Sequence, residues 1–215
     1  MVESHSLLEQ LEGPQTVEQM SFDQFIAETP EPDLATLVED ESRQPLAPVT
    51  GRHQDVRLYV TVLLKTFVEM VDAGLVRDNP FEVRFEEGPV YQPDIVFVAN
   101  SHFDRVHDTH IDGAPDLIME VLSADSTARD RGEKFVAYEA YGVPEYWLVD
   151  PIRQQVDFYH IGPEGYYKAY RPDIAGRHRS RILKGFTLEI DVLWQRVLPT
   201  TSAILERVHE MVAQR

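Results

Sequence analysis

No cysteine occurs among the 215 residues, which excludes a disulfide framework, a thiolate zinc site and a cysteine nucleophile. No apolar run reaches the roughly 18 residues that a membrane span needs. The start, Met1 to Gly13, is acidic rather than a basic leader followed by an apolar block, so a cytoplasmic protein with no membrane partner is expected. Basic residues are scarce: 20 Lys and Arg stand against 37 Asp and Glu, a formal net charge of −17. That balance repels any polyanion unless the charge is segregated, and it is. Residues 1–50 hold eleven acids and one base, Arg43. Between Lys168 and Lys184 the sign reverses, with Lys168, Arg171, Arg177, Arg179, Arg181 and Lys184 against only Asp173. Within that stretch Arg177, Arg179, Arg181 and Lys184 are candidate contacts for a nucleic acid.

What is present suits a globular domain: 43% hydrophobic and 27% charged residues are enough for a buried core and argue against a disordered chain. Residues 1–15 lack periodicity and end in Gly13-Pro14, so they read as a flexible acidic lead, and residues 16–215 as a single domain. Val17, Met20, Phe22, Phe25 and Ile26 suggest a short helix closed by Pro30 and Pro32, and residues 36–49 read as extended. His53, Val56, Val60, Leu63, Leu64, Phe67 and Val71 fall at steps of three and four. They predict a long amphipathic helix with Gly74 as its C-terminal cap. Strands are expected over residues 75–77, 81–85, 90–98 and 116–122. A helix over 126–141 follows, then strands over 145–150, 156–160 and 166–170, and a last helix over 200–212. This order predicts an α/β or α+β domain on one central mixed sheet flanked by helices.

The chemistry is signalled by acids inside apolar strands. Asp94 opens the run Ile95-Val96-Phe97-Val98, and Glu120 stands between Met119 and Val121 with Ile118 and Leu122 on its own face. An ionised carboxylate there costs several kcal/mol unless a cation answers it. Asp130, Lys134, Tyr138 and Tyr141 step by four, four and three, which turns them to one helix face and aims Lys134 inward. Asp94 and Glu120 on neighbouring strands would offer two hard oxygen donors to Mg2+. With Lys134 stabilising developing charge, that is equipment for metal-assisted phosphodiester hydrolysis. Each residue alone has an ordinary alternative. Asp94 or Glu120 could pair with an arginine, Lys134 could be solvated, His53 could be a satisfied core or capping histidine, and the basic stretch could be a solvated loop.

Taken together, Tyr91-Gln92-Pro93-Asp94-Ile95-Val96-Phe97-Val98, Gly113-Ala114-Pro115-Asp116-Leu117-Ile118-Met119-Glu120-Val121-Leu122-Ser123, Asp130 with Lys134, Tyr138, and Gly142-Val143-Pro144-Glu145-Tyr146-Trp147 resemble the Uma-two family of endonucleases. That family lies in the PD-(D/E)XK superfamily, of restriction-endonuclease-like fold. The resemblance implies a metal site built from Asp94 and Glu120, an upstream acid that falls on Glu39, and a histidine at the start of the long helix that falls on His53. Leu122 stands where the superfamily's simplest pattern has its lysine, and the family's helix-borne replacement falls on Lys134. The implied activity is a Mg2+- or Mn2+-dependent DNA endonuclease. Asp94, Glu120 and the Val121 carbonyl would hold the metal, Lys134 and Glu39 would assist, and His53, Asp130 and Tyr138 would support. A homodimer is implied by analogy. Competing readings are a catalytically inactive protein of the same fold that binds nucleic acid or a partner chain and, more remotely, a carboxylate-pair hydrolase of sugars.

Overall fold

The computed structural model describes residues 50–123 and 126–215. The acidic lead, the short helix before Pro30, the extended residues 36–49 and Glu39 lie outside the described residues. Helix α1 (Gly51–Met70) starts at Thr50, whose hydroxyl accepts the His53 N–H at 3.2 Å, the side-chain cap that satisfies a free amide of the first turn. Its buried stripe is His53, Val56, Tyr59, Val60, Leu63, Leu64, Phe67 and Val68. Each large apolar side chain on it contributes roughly 1.5–3 kcal/mol by leaving water.

Strands follow as β1 (Gly74–Asp78), β2 (Glu82–Arg84), β3 (Val90–Tyr91), β4 (Ile95–Ala99), β5 (His110–Asp112) and β6 (Leu117–Val121). A 3-10 turn over Asn100–Arg105 separates β4 from β5. Two short helices, α2 (Thr127–Arg131) and α3 (Glu133–Ala140), carry the chain to β7 (Glu145–Asp150), β8 (Gln155–Ile161) and β9 (Tyr167–Tyr170). The hairpin of β10 (Arg177–Arg179) and β11 (Thr187–Glu189) and the helix α4 (Thr201–Ala213) complete it. Six strands form the central sheet in the order β1-β4-β6-β7-β8-β9, and β3-β2-β5 form a second, smaller one. Among the described residues only β6 and β7 run parallel in the central sheet, and α2 and α3 form the crossover between them. The expected central mixed sheet flanked by helices is what the chain adopts.

Strand alternation divides the core. Leu117, Met119 and Val121 of β6 and Trp147 and Val149 of β7 pack with α1 and α4. Ile118, Leu122, Tyr146 and Leu148 pack on the other face with Tyr138 of α3 and with Val83, Tyr91 and Ile111 of the small sheet. Glu120, in register with Leu148, belongs to this second face.

Three expected elements differ. The run over 90–98 is two strands in two sheets, broken at Gln92-Pro93-Asp94, because proline has no N–H for a ladder. The helix over 126–141 is interrupted at Gly132 (φ −114°, ψ −91°), where a Cβ would stand 2.8 Å from the Ala128 carbonyl oxygen. Gly74 does not cap α1, which ends at Met70; it opens β1 opposite Ala99.

Candidate active site

The break at Pro93 and the break at Gly132 both serve one place. Extending the β4–β6 register, in which Ile95 faces Met119, sets Asp94 opposite Glu120. The Asp94 N–H donates to Glu120 Oε2 at 3.3 Å, and Asp94 Oδ2 accepts the Val121 N–H at 2.7 Å. Asp130 lies in the last turn of α2 and Lys134 in the first turn of α3, and the Lys134 ammonium stands 2.6 Å from Glu120 Oε1 and 3.0 Å from Asp130 Oδ1. Tyr138, one helical turn on, donates its hydroxyl to Glu120 Oε1 at 2.9 Å. Glu120, Asp130, Lys134 and Tyr138 are all buried. On the other side of Asp94, His53 Nε2 lies 3.5 Å from Oδ2 and Arg57 Nη1 3.8 Å from Oδ1.

Electrostatically the cluster is short of positive charge. Burial pushes the Glu120 carboxyl up to about 7; the Lys134 charge pulls it down, and Asp130 and Asp94 push it up again. Burial disfavours the Lys134 ammonium, yet the charges of Glu120 and Asp130 prevail and its pKa is raised. Burial, with Glu120 beside it, takes the Tyr138 phenol well above its ordinary range, so it remains a hydrogen-bond donor. Glu120 and Asp130 thus share the Lys134 ammonium, while among the described residues Asp94 has only the more distant Arg57 and the nearby His53 as basic partners. Lys134 and Tyr138 occupy Glu120 Oε1. Among the described residues, Oε2 has one long contact and Asp94 Oδ1 only the distant Arg57. Two oxygens with unused lone pairs in a negative pocket suit a hard divalent cation.

Asp94, Glu120, Lys134, Asp130, Tyr138, His53 and the Val121 main chain therefore converge. Glu39 lies outside the described residues. The basic stretch is elsewhere. Ser180 Oγ and the amides of Arg181 and Ile182 donate to Glu145, and Glu145 projects from the opposite face of β7, in register with Leu117. It is three residues back from the Glu120 level, or about 10 Å along the strands. Arg177 pairs with Asp173 at 3.2 Å, and Arg181 donates to the Tyr170 hydroxyl at 2.6 Å, while Arg179 and Lys184 are exposed. The second Pro-Asp pair is structural: Asp116 accepts the Ala99 N–H at 2.7 Å and lies 3.0 Å from His102 Nδ1. Arg57 is the site residue that the sequence reading omitted. Its signal was its position four residues after His53, on the same helix face.

The model of the Uma2 family, described as "Putative restriction endonuclease", matches residues 19–192. Among solved structures, a protein from Anabaena variabilis described as a putative nuclease belonging to DUF820 is similar, with a TM-score of 0.57 and 21% identity over 71% of this chain and 84% of that one. At that identity the likeness bears on the fold alone. No curated protein matches the chain. The family match spans well over half of the sequence and includes every residue of the Asp94–Glu120–Lys134 cluster, so the chain belongs to the Uma2 family, and that membership supports a nuclease.

Proposed function

We propose that the chain is a Mg2+-dependent endonuclease that hydrolyses phosphodiester bonds in DNA, with Mn2+ able to replace Mg2+. One observation carries the reading: a buried carboxylate, Glu120, held opposite Asp94 on the next strand and contacted by a buried lysine from the crossover helix. Asp94, Glu120 and the Val121 carbonyl are the groups that would hold the ion. When bound, it neutralises charge on a phosphoryl oxygen and lowers the pKa of its water.

The other residues follow from their surroundings. Lys134, whose pKa is raised, stays an ammonium at neutral pH, which suits it to stabilise charge developing on the phosphate and makes it a poor general base. Asp130 and Tyr138 fix Lys134 and one oxygen of Glu120, leaving Oε2 for the ion. The buried His53 and the partly exposed Arg57 flank Asp94, and Arg57 is placed to meet a phosphate of the strand. A homodimer fits the need for two such sites to cut both strands.

Nicking of supercoiled DNA with Mg2+ or Mn2+ tests this. The expected result is loss in Glu120→Ala and Asp94→Asn and a fall of about 100-fold or more in Lys134→Ala; equal activity in wild type and all three variants would overturn it. The closed contact of Lys134 with Glu120 and Asp130 also favours a second reading, a nuclease fold that binds nucleic acid or a partner without cutting. Calorimetry with Mn2+ separates the two: an absence of binding, with no cleavage, selects the second.

A further inference from the structure

Among the described residues, two more groups of metal-competent side chains lie away from Glu120, and protein donors already answer one of them. Glu145, His160 and His178 are buried and close together. However, Glu145 accepts from Trp147 Nε1 at 2.7 Å, Ser180 Oγ at 2.9 Å and the amides of Arg181 and Ile182 at 3.1 Å, with His178 Nε2 also at 3.1 Å. That carboxylate has no lone pair left for an ion.

The other group is His107, His110 and Asp112, whose potential ligand atoms all lie within 4.8 Å of one another. Main-chain pairing positions the cluster. The His107 N–H donates to the His110 carbonyl at 2.8 Å, and Val106 bridges Ile111, closing a tight turn. Ile111 is fully buried and β5 is paired to β2, so strand alternation turns His110 and Asp112 to one outward face. The turn then lays the His107 ring over that of His110, with centroids 4.7 Å apart. Both Nε2 atoms reach the Asp112 carboxylate, His107 at 3.0 Å from Oδ2 and His110 at 3.4 Å from Oδ1. Among the described residues these imidazoles are its side-chain partners. His110 Nδ1 lies 3.1 Å from Thr109 Oγ1. With Nδ1–H donating to that hydroxyl, Nε2 presents a lone pair toward the carboxylate, the outer contact that orients a metal-binding histidine.

We propose that His107, His110 and Asp112 form a surface site for a borderline divalent transition ion of the Zn2+ class. Two imidazoles and one carboxylate are a ligand set that zinc accepts with water in a fourth position, and one that Mg2+ disfavours. Each ligand is partly open to solvent, so an ion enters without local unfolding. The site is distinct in residues and in metal preference from Asp94 and Glu120, and it stands independently of the nuclease reading.

The test is calorimetric titration of the full chain with Zn2+ in millimolar Mg2+, which masks the acidic pocket. One Zn2+ per chain is expected, with unchanged affinity in Glu120→Ala and at least about ten-fold weaker binding in His107→Ala, His110→Ala and Asp112→Asn. Co2+ in place of Zn2+ is expected to give the visible absorption of a four-coordinate site, lost in the same variants. Zn2+ should raise the melting temperature of the wild type and not that of the His107→Ala/His110→Ala double variant. Absence of Zn2+ binding, or an isotherm unchanged in the double variant and in Asp112→Asn, would overturn the proposal.

Discussion

Glu120 and Glu145 are enclosed carboxylates on neighbouring parallel strands, 3% and 0% exposed, and their surroundings drive them in opposite directions. Burial pushes both up. For Glu120 it prevails, whereas for Glu145 the hydrogen bond from His178, the nearby His160 and the Trp147 N–H overcome it and hold the carboxyl below its ordinary range. An acid served by many donors fastens the β10–β11 hairpin to the sheet; an acid short of donors is suited to take up a cation. The histidine beside Glu145 yields a pH prediction. Burial lowers His160 from 6.5 to about 4, against the attraction of Glu145 and with help from His178 and Arg181. Since the folded value is below the unfolded one, this stability is whole above pH 6.5 and is lost as the pH falls toward 4, where the unfolded chain takes up a proton that the native state refuses. The loss should be on the order of 2–3 kcal/mol. Urea midpoints measured across pH 7 to 4 should show it, and His160→Gln should flatten the curve between pH 6.5 and 4; an identical slope in the variant would refute the assignment to His160.

At the scale of elements, Gly74 illustrates why boundaries are harder to read than elements. A glycine after an amphipathic run is an expected helix cap, yet here it has φ +153° in the first pair of β1 with β4, and an added Cβ would stand 2.0 Å from the Val98 carbonyl oxygen. Gly74→Ala should therefore pull the edge strand away and cost more than about 2 kcal/mol, well beyond the difference in chain entropy. Thermal unfolding measures it, and a melting temperature equal to wild type would show that the edge gives way freely. The helix α1, the buried strands β4, β6 and β7 and the terminal helix were legible because period and burial coincide in them. The small sheet was only partly legible, since the three residues of β5 and the two of β3 are too short to carry a period. Lys134 could be aimed inward from its spacing to Tyr138, even though Gly132 divides the helix that the spacing assumed. Glu145, standing just after Pro144, was legible only as the start of a strand, and its partners His160, His178 and Ser180 come from fifteen or more residues away, a distance at which local pattern is silent.

At the scale of the whole molecule, net acidity opposes the approach of the DNA substrate proposed above. Residues 51–215 hold 26 acids and 19 bases, a milder imbalance than the eleven to one of residues 1–50. The exposed Arg179 and Lys184 belong to a segment that lies across the sheet from Glu120. The lead bearing Glu3, Glu9 and Glu12 adds negative charge that repels DNA at long range, an effect that salt screens within about 10 Å at 0.1 M. Removing residues 1–15 should strengthen DNA binding by roughly two- to five-fold near 50 mM salt, and the gain should vanish toward 0.5 M. Because the cations and the carboxylates occupy opposite faces of the sheet, the gain should appear in the DNA concentration that half-saturates cleavage and leave turnover at saturation unchanged. A change in turnover instead would refute a purely electrostatic effect, and equal affinity at every salt concentration would reduce the lead to a solubilising segment.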